Sequence, residues 1–304
     1  MSGSPEAPAD RARVGYLGPA GTFSEEALLA DTAADAVEPV ALASIFDTVT
    51  ALRERQVRWA IVPIENSLEG SINVTLDLLA DDAGDVKIVG ETLLRVRHAL
   101  IGATDVALEE IDTVLTHPQV PGQCTRFLRG ELARARVEPA SSTAEAVRIV
   151  VADGRRAQAA LGTELAARIY GATVLRTGVE DRADNETRFV WLAEAAMADE
   201  RAPLRANESG EWKTSLVFWG AGAEHAGWLV RCLDEFARRD INLTKIESRP
   251  RRQGLGSYMF FVEAAGRAHD PPVAEAIAGV GAICEELRVL GSYAAAEAPT
   301  QGRG

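Results

Sequence analysis

Cysteine is scarce in this chain, and the few cysteines present are not spaced as pairs. The three residues, Cys124, Cys232 and Cys284, are odd in number and form no C-x-x-C pair. This pattern argues against a disulfide framework or a zinc knuckle and favours a reducing, cytoplasmic setting. Only four histidines occur, and no second histidine, cysteine or acid pair stands at metal-ligand spacing. We therefore expect no metal site.

Basic residues and long apolar runs are also lacking. The 304 residues include 32 Lys and Arg against 45 Asp and Glu, which gives a net charge of −13. Such an acidic chain is a poor general partner for nucleic acids or anionic membrane surfaces. No apolar run approaches the roughly 20 residues that span a bilayer, and the first dozen residues lack the pattern of a signal peptide. We expect a globular protein of two or three domains with neither a membrane nor a nucleic acid as partner.

Motifs for nucleotide binding and for nucleophilic catalysis are absent from the sequence. It contains no G-x-G-x-x-G, no P-loop G-K-[S/T] and no G-x-S-x-G elbow. No Ser-His-Asp set can be recognised from residue order alone. Nucleotide binding therefore has no support.

The acidity is confined to the first two thirds of the chain. Residues 1–212 carry 21 basic and 34 acidic side chains, whereas residues 213–294 carry ten of each. The change falls in a polar stretch that is typical of a linker or domain edge. We predict a first domain at 12–195, a linker at 196–212 and a second domain at 213–294, with disordered tails at 1–11 and 295–304.

Residues 13–194 alternate short β-rich runs with amphipathic stretches. Such alternation predicts α/β layers with a mostly parallel sheet, and two halves joined by extended crossovers would leave a cleft between them. The predicted strands are 14–17, 59–63, 87–101, 113–116, 157–160 and 187–192, and the predicted helices are 24–30, 43–53, 71–79, 121–132, 144–151 and 163–170.

The second domain has a shorter and clearer pattern. The order βαββαβ is that of a ferredoxin-like plait. Such a plait has an exposed sheet edge that often pairs with another copy, so we expect a homodimer. The predicted strands are 214–219, 241–248, 257–264 and 286–290, and the predicted helices are 224–238 and 272–279.

Three strand-to-helix junctions in the first domain carry clusters of polar residues. Thr22 with Glu25, and Ser142 with Glu145, stand at capping-box spacing. The polar cluster at 63–71 follows a predicted strand, at the end where α/β folds place ligands. Each junction is either an ordinary cap or solvated turn, or one wall of a cleft for a polyanionic small molecule.

One histidine has a chemical context in the sequence. His117 follows the predicted strand 113–116 and could donate a hydrogen bond or a proton. His98, His225 and His269 have no such context, and we expect them to be structural or at the surface.

The tripeptide Thr-Arg-Phe occurs twice, and the two copies are not equivalent. The copy at 125–127 lies inside a predicted helix, where a threonine hydroxyl usually bonds to the backbone. The copy at 187–189 lies at a loop-to-strand junction, where its side chains can face a cleft.

Together these segments resemble the prephenate dehydratases of the monofunctional type with a C-terminal ACT domain. The resemblance covers nearly the whole chain in the family's order, and nothing resembles the helical chorismate mutase domain of some relatives. The matching stretches are VGYLGPAGTFSEEA (14–27), AIVPIENSLEGSI (60–72), HPQVPGQC (117–124), SSTAEAV (141–147), AALGTELAARIYG (159–171), DNETRFVWL (184–192), LTKIESRP (243–250) and LRVLGSY (287–293).

The resemblance implies both a fold and a reaction. The fold is a two-lobed α/β catalytic domain, similar to type II periplasmic binding proteins with the active site in the cleft, followed by a ferredoxin-like ACT domain. The reaction is the decarboxylation and dehydration of prephenate to phenylpyruvate in phenylalanine biosynthesis, by a carbon–oxygen lyase without cofactor or metal. Loss of CO₂ and of the C4 hydroxyl makes the ring aromatic, so the enzyme has to orient a dianion and help the hydroxyl leave.

The resemblance also implies roles for individual residues. Thr187 would hydrogen-bond to or protonate the departing hydroxyl, directly or through a relay. Phe189 would form part of the pocket wall beside the ring of the substrate. Arg188 would hold a carboxylate bidentately or brace the loop. The family's asparagine two positions before the threonine is Asn185, and the copy at 125–127 lacks it. The candidate substrate ligands are Thr22, Ser24, Asn66, Ser67, His117, Gln119, Ser142, Thr143 and Asn185.

For the second domain, the resemblance implies an ACT module that binds L-phenylalanine at a dimer interface and inhibits the enzyme. Association through ACT domains implies a homodimer or a dimer of dimers. The family's usual Gly-Ala-Leu is Gly227-Trp228-Leu229 here, and the indole could shrink, reshape or reline the effector pocket. The effector-binding candidates are Gly227, Leu229, Asn242, Glu247, Ser248, Arg249 and Pro250.

Two other functions stay open at the level of sequence. Arogenate dehydratases share the fold and motifs but take the aminated substrate. A catalytically inactive amino-acid-binding regulator could be built on the same two domains, although the intact stretch 184–189 argues against it. Because the acidity lies in the domain predicted to bind a dianion, we expect an acidic outer surface and a locally positive cleft. Helix N-termini, hydroxyl groups and Arg188 would supply that positive potential.

Overall fold

The first lobe contains the first eight elements of the chain. The computed structural model describes residues 11–33, 36–81, 85–205, 210–220, 225–254 and 256–296. Outside these ranges lie residues 1–10 and 297–304 of the predicted tails (1–11 and 295–304), residues 206–209 of the predicted linker and the first residue of the predicted helix 224–238. The elements are β1 (Ala12–Leu17), α1 (Phe23–Ala30), β2 (Val37–Leu42), α2 (Ile45–Arg53), β3 (Trp59–Asn66), β4 (Gly70–Ser71), α3 (Asn73–Asp81) and β5 (Val86–Arg95).

The second lobe follows directly and has a five-stranded sheet of its own. Its elements are β6 (Ala99–Gly102), β7 (Thr113–Thr116), α4 (Val120–Gln123), α5 (Thr125–Gly130), β8 (Arg136–Pro139), α6 (Thr143–Asp153), β9 (Gln158–Gly162), α7 (Glu164–Tyr170) and β10 (Thr173–Thr177). The strand order is β10-β6-β9-β7-β8. The chain then returns to the first lobe as β11 (Glu186–Glu194), which lies between β3 and β5.

The sheets are mixed, so the prediction of a mostly parallel sheet is wrong. β11 runs antiparallel to both β3 and β5, and β6 runs antiparallel to β9 and β10. Parallel pairs join β1 to β2 and β3, and β7 to β8 and β9. Two neighbouring strands can be parallel only when a crossover, usually a helix, connects them. The chain passes between the lobes as extended segments without such a helix, so the strands at these passages pair antiparallel.

The sequence pattern does not predict strands β2, β8 and β10, or the break between α4 and α5. The three strands lie at sheet edges, and all four residues of β8 are exposed, so an apolar periodicity is weak or absent. The predicted helix 121–132 is interrupted at Cys124. The Asp181 carboxylate accepts hydrogen bonds from the N–H groups of Thr125 (3.0 Å) and Arg126 (2.9 Å), which starts a new helix there.

Two helices that border the space between the lobes begin differently. At α6, Ser142 Oγ accepts the N–H three residues further on (3.0 Å), as its capping-box spacing predicts. The capping box predicted for Thr22 and Glu25 is not formed. Thr22 Oγ1 donates instead to the carbonyl of Leu17 (2.9 Å), and the Glu25 carboxylate accepts from the N–H of Gly21.

The C-terminal segment has the predicted βαββαβ order. Its elements are β12 (Trp212–Trp219), α8 (Trp228–Ala237), β13 (Leu243–Pro250), β14 (Tyr258–Ala265), α9 (Pro271–Gly281) and β15 (Glu286–Ala294). The strands run in the order β13-β14-β12-β15, with antiparallel neighbours throughout. The two helices cover one face of this sheet over a core that includes Phe218, Trp228 and Phe236.

The C-terminal segment and the first lobe share one sheet and one core. β15 pairs with β5, so that ten strands, β4 included, form a continuous sheet. The pairing residue Gly291 has no room for a Cβ against the backbone of Ile88, and glycine is what permits this close approach. The face of the segment opposite its helices packs on Val190 and Leu192 of β11.

Candidate active site

A cavity of about 450 Å³ opens between the two lobes. It lies where β1 and β3 end and where α1 and α6 begin, which is the edge at which α/β folds bind ligands. The expectation of a cleft between two halves is therefore met by a cavity with walls from both lobes and from β11. Its polar lining residues are Thr22, Ser24, Asn66, Glu69, His98, His117, Gln119, Gln123, Ser141, Ser142, Thr143 and Thr187.

Most of the candidate residues from the sequence line this one cavity, although they come from five separate stretches of the chain. Ser67, Asn185 and Arg188 are not among the lining residues. Those that the fold brings to the cavity are Thr22, Ser24, Asn66, His117, Gln119, Ser142, Thr143, Thr187 and Phe189.

Thr187 ends a chain of side-chain hydrogen bonds that we call the amide relay, made of Glu69, Gln123, Asn185, Asn66 and Thr187. Gln123 Nε2 donates to the Glu69 carboxylate (2.9 Å), and Asn185 Nδ2 donates to Gln123 Oε1 (3.1 Å). Asn66 Nδ2 then donates both to Asn185 Oδ1 (2.8 Å) and to Thr187 Oγ1 (3.0 Å). The relay crosses from the second lobe through the start of β11 to the first lobe.

The direction of every hydrogen bond in the amide relay follows from its two ends. At one end, the Glu69 carboxylate can only accept, so the amide nitrogen of Gln123 must face it. At the other, Asn66 Oδ1 accepts the backbone N–H groups of Leu68 (2.9 Å) and Glu69 (3.0 Å), so its nitrogen must face Thr187. Thr187 therefore accepts from Asn66 and keeps its own hydroxyl proton. Within the described part of the chain, that proton has no protein acceptor, so it is available to a molecule in the cavity.

Asn185, a member of the amide relay, and Ser67, which supports the relay, are not part of the cavity lining. Asn185 is buried, and its amide joins Gln123 to Asn66. Ser67 Oγ accepts the N–H of Glu186 (3.0 Å), and the Ser67 N–H donates to the Glu186 carbonyl (2.8 Å). These contacts tie the β3–β4 turn to the start of β11, which is a holding role in place of the predicted contact with substrate.

Arg188 points away from the cavity, so the prediction that it holds a substrate carboxylate is wrong. Successive side chains of a strand face opposite sides, and Arg188 is buried among Glu65 (3.0 Å), Glu91 (3.1 Å) and Glu263 (2.6 Å). Burial opposes its ionisation, but the hydrogen bonds and charges of Glu263 and the charge of Glu91 raise the pKa of Arg188 above its ordinary value. Bracing, the other predicted role, is the one that the geometry supports.

The cavity has no lysine or arginine among its described lining residues, so the expectation that Arg188 contributes to a locally positive cleft is wrong. The other expected source of positive potential, the N-termini of helices, is present at the cavity wall. Phe23 at the start of α1 and Thr143 at the start of α6 both line the cavity. Unpaired N–H groups of a first helical turn, together with the helix dipole, favour anions at such a place.

Glu69 and two glutamines join the lobes at the rim of the cavity. Gln119 Nε2 donates to one oxygen of the Glu69 carboxylate (2.6 Å), and Gln123 Nε2 donates to the other (2.9 Å). Glu69 lies in the β3–β4 turn of the first lobe, and both glutamines lie at α4 in the second. His117, another predicted residue, lines the same rim and is half-buried.

His98 is a cavity residue that the sequence pattern misses. It is buried at the crossover between β5 and β6, edge-on to Phe23 with ring centroids 5.4 Å apart. Its Nε2 lies 3.1 Å from Gln123 Oε1, which is an acceptor, so His98 carries its proton on Nε2. Burial lowers the pKa of His98 against the opposing effects of Gln123 and Glu180, and the ring is neutral at pH 7. The available signal was a histidine inside the apolar run that joins the two lobes.

Neither Thr125 nor Cys124 is placed to take part in chemistry. Thr125 Oγ1 donates to the carbonyl of Pro121 (3.1 Å), as predicted for the copy of Thr-Arg-Phe inside a helix. Cys124 is buried, and burial, with smaller effects of Glu180 and Asp181, raises the pKa of its thiol to about 12. The thiol therefore stays protonated and is not a nucleophile.

The effector candidates of the C-terminal segment fall into two groups. Glu247 and Arg249 face the first lobe, where Ser71 Oγ donates to Glu247 (3.0 Å) and Arg249 binds both oxygens of Asp77 (3.1 and 3.0 Å). Binding of an effector by this set stays a prediction. The other candidates lie at the surface of the segment or, for Leu229, against its core: Gly227, Leu229, Asn242, Ser248 and Pro250.

Trp228 is part of the core of the C-terminal segment. Its side chain is buried, with ring centroids 6.1 Å from Phe218 and 5.9 Å from Phe260. Its Nε1–H donates to the carbonyl of Ile283 (3.2 Å). The indole thus fills space between α8 and the sheet, where it fixes the position of α8 instead of projecting outward.

Two further features of the described residues bear on the chemistry. Within the described ranges, no three His, Cys, Asp or Glu side chains are grouped so that they could hold a metal ion. No helix in that part of the chain is both long and apolar enough to cross a membrane.

Known proteins share this sequence and fold over most of their length. A family model described as prephenate dehydratase matches residues 14–197. A prephenate dehydratase of Mycolicibacterium vanbaalenii is 39% identical over 293 residues, which cover 92% of this chain and 90% of that protein. The solved structure of prephenate dehydratase from Arthrobacter aurescens in complex with L-Phe is 34% identical, covers 93% of this chain and 89% of its own, and superposes with a TM-score of 0.82.

A second solved structure has the same fold under a different description. It is described as GqqA, a novel type of quorum quenching acylase, and is 26% identical, covering 93% of this chain and 98% of its own with a TM-score of 0.80. The matched family model spans more than half of the chain, and the sequence relative covers nine tenths of it. The chain belongs to the prephenate dehydratase family of hydro-lyases.

Proposed function

We propose that this enzyme converts prephenate to phenylpyruvate, water and CO₂, with Thr187 as the hydrogen-bond donor to the departing C4 hydroxyl. The observation that carries the proposal is the amide relay. It makes Thr187 an acceptor toward Asn66 (3.0 Å) and leaves its proton for the cavity. A donor is what the leaving group requires.

The chemistry places negative charge where Thr187 can act. As the bond from the ring to its carboxylate breaks, CO₂ leaves and the electron pair enters the ring. The C4–O bond breaks in turn, and charge develops on the departing oxygen. A fixed donor at that position stabilises the transition state more than the ground state. Threonine is too weak an acid to transfer its proton fully, so we expect the departing hydroxide to complete its protonation from solvent.

Binding of the dianion is assigned to the backbone and hydroxyl groups of the cavity wall. The helix starts at Phe23 and Thr143 would face the carboxylates, with the hydroxyls of Ser24 and Ser142 beside them. Ser142 Oγ already accepts a backbone hydrogen bond, which leaves its proton for a ligand. Phe189 would lie against the ring.

Lack of a cationic side chain in the described cavity wall suits a decarboxylation. An arginine beside the carboxylate that leaves would stabilise the charged ground state more than the transition state, in which that charge is moving into the ring. Neutral donors hold the substrate without this penalty.

The direct test compares two threonines that stand in the same tripeptide. Thr187→Ala removes the donor, and we expect kcat for phenylpyruvate formation to fall by about 10²–10³, the usual effect of losing one such donor. Thr187→Ser keeps the hydroxyl and should retain most activity. Thr125→Ala is the matched control, because the Thr125 hydroxyl donates to nearby backbone carbonyls and not into the cavity. Greater damage from the Thr125 change would overturn the assignment.

Three further measurements separate the rival functions. Turnover of the aminated substrate in preference to prephenate would indicate an arogenate dehydratase. Binding of an amino acid without any turnover would indicate an inactive regulator. Hydrolysis of an acyl amide would indicate the activity by which one solved neighbour is described. We favour prephenate because relatives that are 39% and 38% identical to this chain are prephenate dehydratases.

For regulation, we propose that the C-terminal segment at 213–294 is an ACT domain through which L-phenylalanine inhibits the catalytic domain at 12–195. Its βαββαβ order and strand order support this, as does the relative solved in complex with L-Phe. Self-association would use the free edge at β13, which within the described residues pairs only with β14.

The regulatory proposal is tested by measuring the initial rate against added Phe, Tyr and Trp. We expect inhibition by phenylalanine and a smaller response to the other two. No response to phenylalanine would contradict the proposal. The molar mass in solution, measured with and without phenylalanine, tests self-association separately.

A further inference from the structure

β11 is a wall shared by the cavity and the C-terminal segment. Thr187 and Phe189 line the cavity. Val190 and Leu192, on the other face of the strand, pack in a core that includes Val217 and Phe261 of the C-terminal segment. Any movement of the C-terminal segment relative to the first lobe would therefore also displace β11, the strand that carries Thr187.

Arg188 lies on the face of β11 that is turned toward the C-terminal segment. It belongs to a cluster of charges, buried at Arg188, Glu91 and Glu263, that spans the two parts of the chain. Its guanidinium donates to both oxygens of Glu263 on β14 (2.8 and 2.6 Å), to Glu91 on β5 (3.1 Å) and to Glu65 on β3 (3.0 Å). Two lysines complete the cluster: Lys213 of β12 pairs with Glu91 (2.8 Å), and Lys245 of β13 pairs with Glu65 (2.9 Å).

The cluster is balanced only when the C-terminal segment is docked. The first domain contributes Arg188, Glu65 and Glu91, one positive and two negative charges. The C-terminal segment contributes Lys213, Lys245 and Glu263, two positive charges and one negative. In the docked state, loss of one member of the cluster by substitution would leave a buried charge without its partner, which is far costlier than a complete pair.

Arg188 and Glu65 of the cluster are the direct neighbours in sequence of Thr187 and Asn66. In the register of β3 and β11, Arg188 is opposite Glu65 and Thr187 is opposite Asn66. Asn66 and Thr187 make the last hydrogen bond of the amide relay. The register of these strands shifts between Arg188 and Phe189. Since a bulge interrupts the backbone ladder, the side-chain anchor of Arg188 has more influence on the backbone position here.

We propose that Arg188 is a positioning residue that holds Thr187 in place through the C-terminal segment, so that turnover depends on how this segment is docked. The inference rests on the proposed role of Thr187 and extends it to regulation. Its bidentate bond to Glu263 is the direct link, because a fork-to-fork contact fixes direction as well as distance. An effector bound near β13 would act on the same cluster through Lys245.

The experiment weakens the link from the side of the C-terminal segment. Glu263→Gln removes the charge that Arg188 binds, and we expect kcat to fall about 10- to 100-fold, the scale of a small displacement of a reacting group. KM should stay within about twofold, because the groups assigned to bind substrate are untouched. Inhibition by phenylalanine should weaken in parallel.

The matched control breaks another contact between the C-terminal segment and the first lobe. Arg252→Gln removes an ion pair with Asp77 on α3 (2.7 Å) that does not touch β11, and it should leave kcat unchanged. Where Glu263→Gln does not fold, Arg188→Lys serves instead, since lysine keeps the charge but cannot make the bidentate contact. Unfolding temperatures of each variant show that the comparison is made on folded protein.

Hydrogen–deuterium exchange gives a readout that does not need activity. We expect amides at 186–189 to exchange several-fold faster in Glu263→Gln and at the native rate in Arg252→Gln. Folded Glu263→Gln with native exchange or native kcat overturns the inference. An absence of prephenate turnover in the native protein overturns the proposed function alone, because the exchange experiment still decides whether Glu263 holds β11.

Discussion

At the scale of residues, Asn66 determines which way the Thr187 hydroxyl points. Its carbonyl oxygen is occupied by two backbone N–H groups, so its nitrogen donates to Thr187. Asn66→Asp keeps the shape and replaces this donor by an acceptor. The Thr187 proton would then turn toward the new carboxylate and away from the cavity. We predict that kcat falls about 10²–10³-fold, as when an oxyanion donor is removed.

Steady-state kinetics of Asn66→Asp against Asn73→Asp checks this prediction. Asn73 is exposed at the start of α3 and is absent from the cavity lining, so the same chemical change there should leave kcat as it is. Near-native turnover of Asn66→Asp would show that the direction of the relay does not matter to the reaction.

The sequence is sufficient to predict that Thr187 faces a cavity and that Thr125 bonds to its own helix, but not to place Arg188. The prediction for the two threonines depends on their local surroundings in the sequence. Thr125 lies inside a predicted helix, and Thr187 lies at a loop-to-strand junction. Arg188 binds Glu91 and Glu263, which are 97 and 75 residues distant in the chain. No local pattern reports such partners. His98 escapes for a similar reason, because its context is the cavity and not its neighbours in sequence.

At the scale of elements, the second lobe rests on the turn between β1 and α1. Thr163 Oγ1 donates to the carbonyl of Gly21 (2.6 Å), and the Tyr170 hydroxyl donates to that of Ala20 (2.9 Å). Gly21 has a φ of +87°, and a Cβ there would lie 2.7 Å from the Cα of Ala166 in α7. The lobes can approach this closely only because residue 21 is glycine.

Gly21→Ala should therefore separate the lobes as well as strain the turn. Gly70→Ala is the matched control, since Gly70 has a similar φ of +84° with nothing near its missing Cβ. We predict a loss of about 1–2 kcal/mol for Gly70→Ala from backbone conformation alone. For Gly21→Ala we expect about 1–3 kcal/mol more from overpacking against α7. Urea unfolding of both variants measures the difference, and equal losses would show that the lobes yield freely at this contact.

Which elements the sequence predicts depends on burial. β7 is predicted with its observed bounds, because all four of its residues are buried between neighbouring strands. β8 is missed because it lies at an edge with every residue exposed. The break between α4 and α5 is missed because its cause, the Asp181 carboxylate, lies 56 residues from Thr125 along the chain. Periodicity reports a continuous apolar face, and it does not report a distant capping group.

At the scale of the whole molecule, charge and function are arranged unevenly. The whole net charge of −13 belongs to residues 1–212, which contain the cavity, while residues 213–294 are neutral. The described cavity wall has no lysine or arginine, and Glu69 lies at its rim. A dianionic substrate would thus be repelled at long range and held at short range by neutral donors and helix starts.

This arrangement predicts an unusual response to salt. Long-range repulsion is screened within about 30 Å at 0.01 M and about 8 Å at 0.15 M ionic strength, whereas hydrogen bonds inside the cavity are screened much less. We predict that kcat/KM for prephenate rises about 2- to 5-fold over this range, because steering is the step that salt affects. Saturated turnover, kcat, should change little. Initial rates in potassium chloride and in potassium acetate at matched ionic strength separate screening from binding of a particular anion. A fall of kcat/KM with salt would mean that the cavity attracts the substrate from a distance, and that cationic groups face it during encounter.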